Sequence, residues 1–154
     1  LSKRSSKKYG LTAKKNMLKA VIDTNVIISG LIKSPSCRRI INALERSEFI
    51  LVISPDILIE LIDVIGRPKF HRIIKKEVAG RIVEAIKAQA LLVKPSFELN
   101  TIKEDPDDNR FLEAALTAKA NCIVSLDNHL LALEAFRNIP IIPTIKFLRL
   151  LNKA

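Results

Sequence analysis

The sequence predicts an α/β domain whose parallel β-sheet is covered by helices on both faces. Short, unbroken apolar runs alternate along the chain with longer segments in which apolar residues recur at helical spacing. Unbroken apolar runs are typical of parallel strands that are buried on both sides. Acidic residues follow the first and the fourth of these runs. Because ligands bind at the carboxyl ends of the strands in open α/β sheets, this placement also predicts where a functional site lies.

Five apolar runs are predicted to form the strands. They are residues 18–23, 49–53, 91–93, 122–126 and 139–142. Each connection between them is long enough to hold a helix, so neighbouring parallel strands are expected to be joined by right-handed crossovers.

Helices are predicted in the intervening segments. The first covers residues 36–47, and the second begins after Ser54, a good N-cap, with Pro55 in the first helical position and Gly66 at its end. Residues 70–90 are predicted to form one amphipathic helix, or two if Gly80 interrupts it. The remaining predicted helices begin at Asp107 or Asp108, cover 129–137, and begin at Pro143 or Thr144.

Composition indicates one globular domain in 154 residues. No apolar run reaches the ~18 residues that a membrane span needs, and the first residues lack the apolar core of a signal peptide. Cys37 and Cys122 are far apart in sequence and form no CxxC motif, so we expect free thiols rather than a disulfide or zinc site. These features predict a cytoplasmic protein without a membrane partner.

The charge of the chain predicts a polyanionic partner. The net charge is +10, and residues 1–16 contain six Lys or Arg residues and no acid, which leaves +4 for residues 17–154. We expect residues 1–16 to be a flexible basic arm and residues 17–154 to be the folded domain. Because Lys and Arg neutralise phosphates, nucleic acid is the expected partner.

Two acidic residues are candidates in the first half of the chain. Asp23 follows the first predicted strand, and Asn25 is placed to hydrogen-bond it; an Asx turn or a helix cap would also explain this aspartate. Glu60 lies within an otherwise apolar helical run, where an unpaired carboxylate is rarely tolerated. We therefore expect Glu60 to face a polar pocket or the edge of its helix.

The densest acidic stretch follows in the second half. Asp105, Asp107 and Asp108 lie together at the start of a predicted helix, and capping by one of them explains one aspartate but not three. Asp108 is spaced to lie over the helix face that packs on the sheet. Asp127 follows the fourth predicted strand, and Ser125, two residues earlier, is placed to position a carboxylate or a water.

Four acids on four separate elements predict a site for a hard cation. Carboxylate oxygens without His or Cys favour Mg²⁺ or Mn²⁺ over zinc. Such ions support phosphodiester cleavage by activating water and stabilising the leaving oxygen.

These motifs resemble the PIN-domain family, in particular the VapC-like toxins of prokaryotic toxin–antitoxin pairs. The resemblance rests on DTN at 23–25, on Glu60, on DPDDNRFLEAA at 105–115 and on SLD at 125–127, and it covers about residues 18–147. It implies a three-layer α/β/α domain with a five-stranded parallel sheet in the order 3-2-1-4-5. It also implies RNA cleavage that depends on Mg²⁺ or Mn²⁺.

The resemblance assigns roles to individual residues. Asp23, Glu60, Asp108 and Asp127 match the four acids of the family, and Asp105 is an additional acid expected at the metal. Many members have Thr at the position of Ser125, and the hydroxyl is retained here. The expected partners are RNA, a cognate antitoxin and a second copy of the chain in a homodimer.

Other functions remain open at this point. A phosphatase that forms an aspartyl phosphate needs a second Asp at the position of Asn25, and a phosphate-binding loop needs a Gly-rich GK[ST] turn that is absent from the sequence. A noncatalytic RNA-binding module and a housekeeping RNA-processing nuclease are the alternatives that remain. The first of these would need no metal and should tolerate the loss of any single acid.

Overall fold

The computed structural model describes residues 17–153, so the predicted basic arm at 1–16 lies outside the described residues. The described part contains six strands: β1 Lys19–Ile22, β2 Ile50–Ile53, β3 Leu91–Leu92, β4 Cys122–Val124, β5 Ala135–Phe136 and β6 Ile139–Ile142. It also contains seven α-helices: α1 Thr24–Ile32, α2 Pro35–Glu45, α3 Pro55–Ile65, α4 Lys76–Gln89, α5 Asn109–Ala118, α6 Asn128–Leu131 and α7 Thr144–Lys153. Short 3-10 helices form at Pro68–Phe70 and Pro106–Asp108.

The strands form one sheet in the order β3-β2-β1-β4-β6-β5. All neighbours are parallel except β5 and β6, which form an antiparallel hairpin at one edge. The predicted order 3-2-1-4-5 is confirmed for the five parallel strands, because β6 is the fifth strand of that prediction. The two-residue strand β5 was not predicted.

Helices cover both faces of the sheet, which confirms the predicted three-layer architecture. Successive residues of a strand point to opposite faces. In the central strand β1, Ala20, Val21 and Ile22 are all buried, and Cys122–Val124 of β4 are buried in the same way. Helix α5 lies across β1, β2 and β4, whereas α2 packs against α1, α4 and α7. Most residues of the core are Ile, Leu, Val or Ala.

Local sequence signals explain where the helices begin. Ser54 caps α3 by accepting the backbone N–H of Ile57 at 3.3 Å, and Pro55 takes the first helical position, as predicted. Ser34 caps α2 by accepting the N–H of Cys37. None of the helices within residues 17–153 has both the length and the apolar composition that are needed to cross a bilayer.

Local structure differs from the predictions at three helices. The helix predicted over 129–137 is only Asn128–Leu131, and the chain then turns into the β5–β6 hairpin. Of the two alternatives for 70–90, the single helix is confirmed, but α4 begins only at Lys76. Gly80 lies inside this continuous helix with open space around it. Helix α1 was not predicted, since its residues are so uniformly apolar that they show little helical periodicity.

Candidate active site

Asp23 lies at the carboxyl end of β1 and is only 3% exposed. Its Oδ1 accepts the backbone N–H of Asn25 at 3.1 Å, so it caps α1. Its Oδ2 accepts the hydroxyl of Ser125 at 2.8 Å. Burial raises the pKa of Asp23 above its ordinary value, the two hydrogen bonds oppose the rise, and the charges of Asp127 and Glu60 add to it. Asp23 therefore caps α1 and also experiences the negative charges of other acidic side chains.

Ser125 connects the ends of two neighbouring strands. It follows β4, is fully buried, and donates its hydroxyl hydrogen to Asp23. The same oxygen accepts the backbone N–H of Asp127 at 2.9 Å. Asp127 in turn caps α6 by accepting the N–H of His129 at 2.8 Å. One hydroxyl thus fixes the Asp23 carboxylate relative to the backbone that carries Asp127.

Asp108 has the most perturbed acidity of the described aspartates. It lies at the start of α5, and its Oδ2 is buried and accepts no hydrogen bond from an N–H or hydroxyl group of residues 17–153. Its pKa is raised to about 8, and burial is the largest cause. A hydrogen bond that a protonated Asp108 shares with Asp127 adds to the rise, as do the charges of Asp105, Asp23 and Asp127. No positively charged group of residues 17–153 is among those that shift the pKa of Asp108, so nothing there offsets the charge of this carboxylate when it is ionised.

Glu60 projects from α3 and is held by two neighbours. Its Oε2 accepts the hydroxyl of Thr24 at 3.4 Å and lies 3.4 Å from Nη1 of Arg110. Arg110 also contacts Asp107 at 3.4 Å. Glu60 therefore faces a polar pocket at the side of α3. This pocket lies between the carboxyl end of β1 and the start of α5.

Two predicted residues take a smaller part in this arrangement. The Asn25 side chain is exposed, and only its backbone N–H contacts Asp23. Asp105 is also exposed; it precedes the 3-10 helix Pro106–Asp108, and its charge contributes to the raised pKa of Asp108. The electrostatically coupled carboxylates are thus those of Asp23, Glu60, Asp108 and Asp127, with Asp105 at the rim.

The donor chemistry fits a hard divalent cation, although the side chains are not arranged as a finished ligand set. Every candidate donor is an oxygen, as Mg²⁺ and Mn²⁺ prefer. The buried, unpartnered Asp108 Oδ2 is the position where a positive charge would stabilise the site most directly. Within residues 17–153, however, no three His, Cys, Asp or Glu side chains are placed to hold an ion as they stand. Ion binding would therefore require some of the carboxylates to rotate.

Comparison with a family model decides the family. The model described as "PIN domain" matches residues 19–129, which run from β1 to just past Asp127. The chain belongs to the PIN-domain family. Members of this family are generally nucleases, and the recognition made from the four acidic motifs is confirmed.

Individual relatives of this PIN domain agree with that membership. An uncharacterised protein of Methanocaldococcus jannaschii is 30% identical over 119 residues, which are 76% of this chain and 76% of the relative. A chain in the crystal structure of VapBC2 from Rickettsia felis, bound to a DNA fragment from their promoter, superposes with a TM-score of 0.56. That match covers 82% of this chain and 98% of the other at 15% identity, so it shows the shared fold.

Thr24, Asn109 and Arg110 support the site of this PIN domain but were not among the residues predicted from the sequence. Thr24 stands between Asp23 and Asn25 in the DTN motif, and a hydroxyl directly after a buried strand is the signal that could have identified it. Asn109 is 3% exposed and hydrogen-bonds the 101–106 loop. The partner of Arg110 is on a different helix, so its contact with Glu60 is a feature of the fold that no local pattern predicts.

Proposed function

We propose that the protein is a ribonuclease that requires Mg²⁺ or Mn²⁺ and hydrolyses phosphodiester bonds at the carboxyl edge of its sheet. The observation that carries the proposal is the buried, unpartnered Asp108 Oδ2 beside Asp23 and Asp127. Family membership supports nuclease chemistry, and the net charge of +10 supports a polyanionic substrate.

Asp23, Asp108 and Asp127 would hold the cation, with Glu60 and Asp105 as further ligands. When bound, the ion supplies Lewis-acid chemistry for phosphodiester hydrolysis. Ser125 holds one Asp23 oxygen by its hydroxyl, and the Asn25 N–H holds the other, so this carboxylate is oriented before any ligand arrives. Thr24 and Arg110 orient Glu60 in the same way. Preorganised donors lower the cost of assembling the site.

The test is cleavage of single-stranded RNA by the purified chain with Mn²⁺ or Mg²⁺, and then with EDTA. We expect cleavage with either metal and its complete loss on chelation. Cleavage that survives EDTA, in protein shown to be free of contaminating nuclease, would contradict the proposal. Unchanged RNA binding without any cleavage would favour the noncatalytic RNA-binding module instead.

We further propose that this nuclease is the toxin of a toxin–antitoxin pair and acts in the cytoplasm. Support comes from the fold shared with a chain of VapBC2, a complex bound to its own promoter DNA. A cognate antitoxin and a homodimer are the partners that this role would require. Induced expression of the chain should arrest growth, and expression of Asp23→Asn should not. Equal growth with both would favour a housekeeping RNA-processing nuclease.

A further inference from the structure

A second concave surface adjoins the acidic site. A cleft of about 620 Å³ lies between the start of α3, the loop at 94–100 and the start of α5. Arg110 lines this cleft, and its guanidinium also contacts Glu60. A polymer bound at the acids would therefore have the cleft directly beside it.

The wall of the cleft is held by side chains of α5. Glu113 accepts the backbone N–H of Leu99 at 2.8 Å. One helical turn earlier, Asn109 accepts the N–H groups of Thr101 and Ile102 at 3.0 and 2.9 Å and donates to the carbonyl of Ile102. Because these bonds fix the segment that closes the cleft, the cleft is preformed rather than a gap beside a loose loop.

Phe97 supplies an aromatic surface within the cleft. Aromatic residues make up only 5% of this chain, and yet the Phe97 side chain is 38% exposed at this position. Unstacked bases of single-stranded nucleic acids stack on such rings, whatever the base, because every base has a π face.

The charges that line the cleft favour a base over a phosphate. The acidic lining residues outnumber the basic ones. The acidic residues are Asp56, Glu98, Asp107 and Glu113, and the basic residues are Lys94 and Arg110. Asp107 is paired with Arg110, and Glu113 with the Leu99 N–H. Asp56, Glu98 and Lys94 have no hydrogen-bond or ion-pair partner in the part of the chain that the structure describes, so the unpaired groups of the lining carry one net negative charge. Free carboxylates repel phosphate but accept hydrogen bonds from the N–H groups of a base.

The geometry points to a nucleobase site in this cleft, an inference that rests on the ribonuclease function proposed above. One unstacked base of the RNA strand, next to the bond that is cut, stacks on Phe97. The Asp56 and Glu98 carboxylates accept hydrogen bonds from its edge. Bases with N–H groups on that edge are therefore favoured, and guanine presents the most donors to a single carboxylate. This site would give the nuclease a base preference near its cleavage position.

The test uses short single-stranded RNAs with one 2-aminopurine, a fluorescent base that is quenched when it stacks, placed at successive positions. Binding is measured in the Asp23→Asn variant with Mg²⁺, so that the RNA stays intact. We expect quenching at one position. Adding Phe97→Ala should remove the quenching and weaken binding roughly tenfold or more, the effect expected for a lost base–aromatic stack. Phe97→Trp should restore both.

Phe136→Ala is the matched control, because Phe136 is half-buried in β5 at the opposite edge of the sheet. It should leave quenching and affinity unchanged. Equal quenching with and without the Phe97 side chain would overturn the nucleobase site. If the unaltered chain still cleaves RNA in a metal-dependent way, the nuclease proposal stands in that case. Conversely, Phe97-dependent quenching without cleavage by the unaltered chain would overturn the nuclease proposal alone.

Discussion

Asp23 illustrates how one side chain serves structure and chemistry together. The sequence left a choice between a helix cap and a member of a metal site, and the structure shows the cap together with a hydrogen bond from Ser125. The charges of Asp127 and Glu60 act on Asp23 as well, because both raise its pKa. Its burial among like charges carries an electrostatic cost. At an effective dielectric near 20 and ~5 Å, two such charges repel by roughly 3 kcal/mol before screening and protonation reduce the effect.

The first prediction is that Asp23→Asn abolishes cleavage and yet raises the melting temperature in EDTA. The substitution removes one buried charge and keeps the shape and the oxygen that caps α1. The amide NH₂ that replaces Oδ2 donates to the Ser125 oxygen instead of accepting its hydrogen. Added Mg²⁺ should narrow or reverse the difference, because the ion stabilises only the intact site. Melting curves in EDTA and in Mg²⁺ provide the measurement. Asp63→Asn, at an exposed position on α3, is the control and should change little. An active variant, or one that melts well below wild type in EDTA, would exclude Asp23 from the cluster.

The second prediction concerns the pH dependence that Asp108 imposes without metal. Its pKa is raised from an ordinary value of 3.8 to about 8, so folding favours the protonated acid. Its stabilising contribution is fully present below the unfolded pKa and is lost as pH rises toward 8. Asp108→Asn should therefore become progressively more stable than wild type between these pH values in EDTA. Melting temperatures of both proteins across this range test it, and parallel curves would refute the assignment.

At the scale of elements, apolar pattern predicted the strands better than the connections between them. The parallel strands were located because each is a continuous apolar run, and Ser54 and Pro55 located α3. The hairpin after α6 was missed because its turn uses Arg137 and Asn138 at positive φ, without a glycine to mark it. The convergence of Asp23 and Asp127 could be anticipated from strand ends. The contact of Glu60 with Arg110 depends on how two helices pack, which sequence alone does not specify.

The third prediction tests helix packing through a matched pair of glycines. A Cβ on Gly30 in α1 would lie 2.6 Å from Ile41 Cδ1 and 2.8 Å from the Cys37 carbonyl oxygen of α2. Gly30→Ala should therefore destabilise the protein by about 1–3 kcal/mol through overpacking. A Cβ on Gly80 in α4 would meet nothing within 4 Å, so Gly80→Ala should stabilise by roughly 0.5–1 kcal/mol. Denaturant unfolding measures both, and a neutral Gly30→Ala would contradict the close packing of α1 on α2.

At the scale of the whole molecule, the acidic and the basic residues lie in different parts of the chain. Acids gather at the carboxyl edge of the sheet, whereas the net charge is +10 and six of the basic residues lie within 1–16. In the proposed nuclease, this division would separate the cleavage step from long-range attraction to the RNA.

The fourth prediction is that deleting residues 1–16 leaves metal-dependent cleavage intact at saturating RNA. These residues precede β1 in sequence and contain no acid, so they contribute no carboxylate ligand. RNA affinity should weaken. The magnitude of the slope of log K, where K is the association constant, against log salt concentration should decrease by up to about four, because six basic residues contact at most six phosphates of a single strand. Affinities measured over a salt series test this. Complete loss of cleavage in a folded truncation would contradict the proposed site.

Direct measurement of Mn²⁺ binding tests the central claim, that the carboxylates of Asp23, Glu60, Asp108 and Asp127 together hold the ion. Free Mn²⁺ gives an electron paramagnetic resonance signal that disappears on binding, so a titration reports affinity without reference to activity. We predict saturable binding by the wild-type chain and by Asp63→Asn, and its loss in Asp23→Asn and Asp127→Asn. Binding by these two variants with the affinity of the wild type, or no binding by the wild type, would contradict the account.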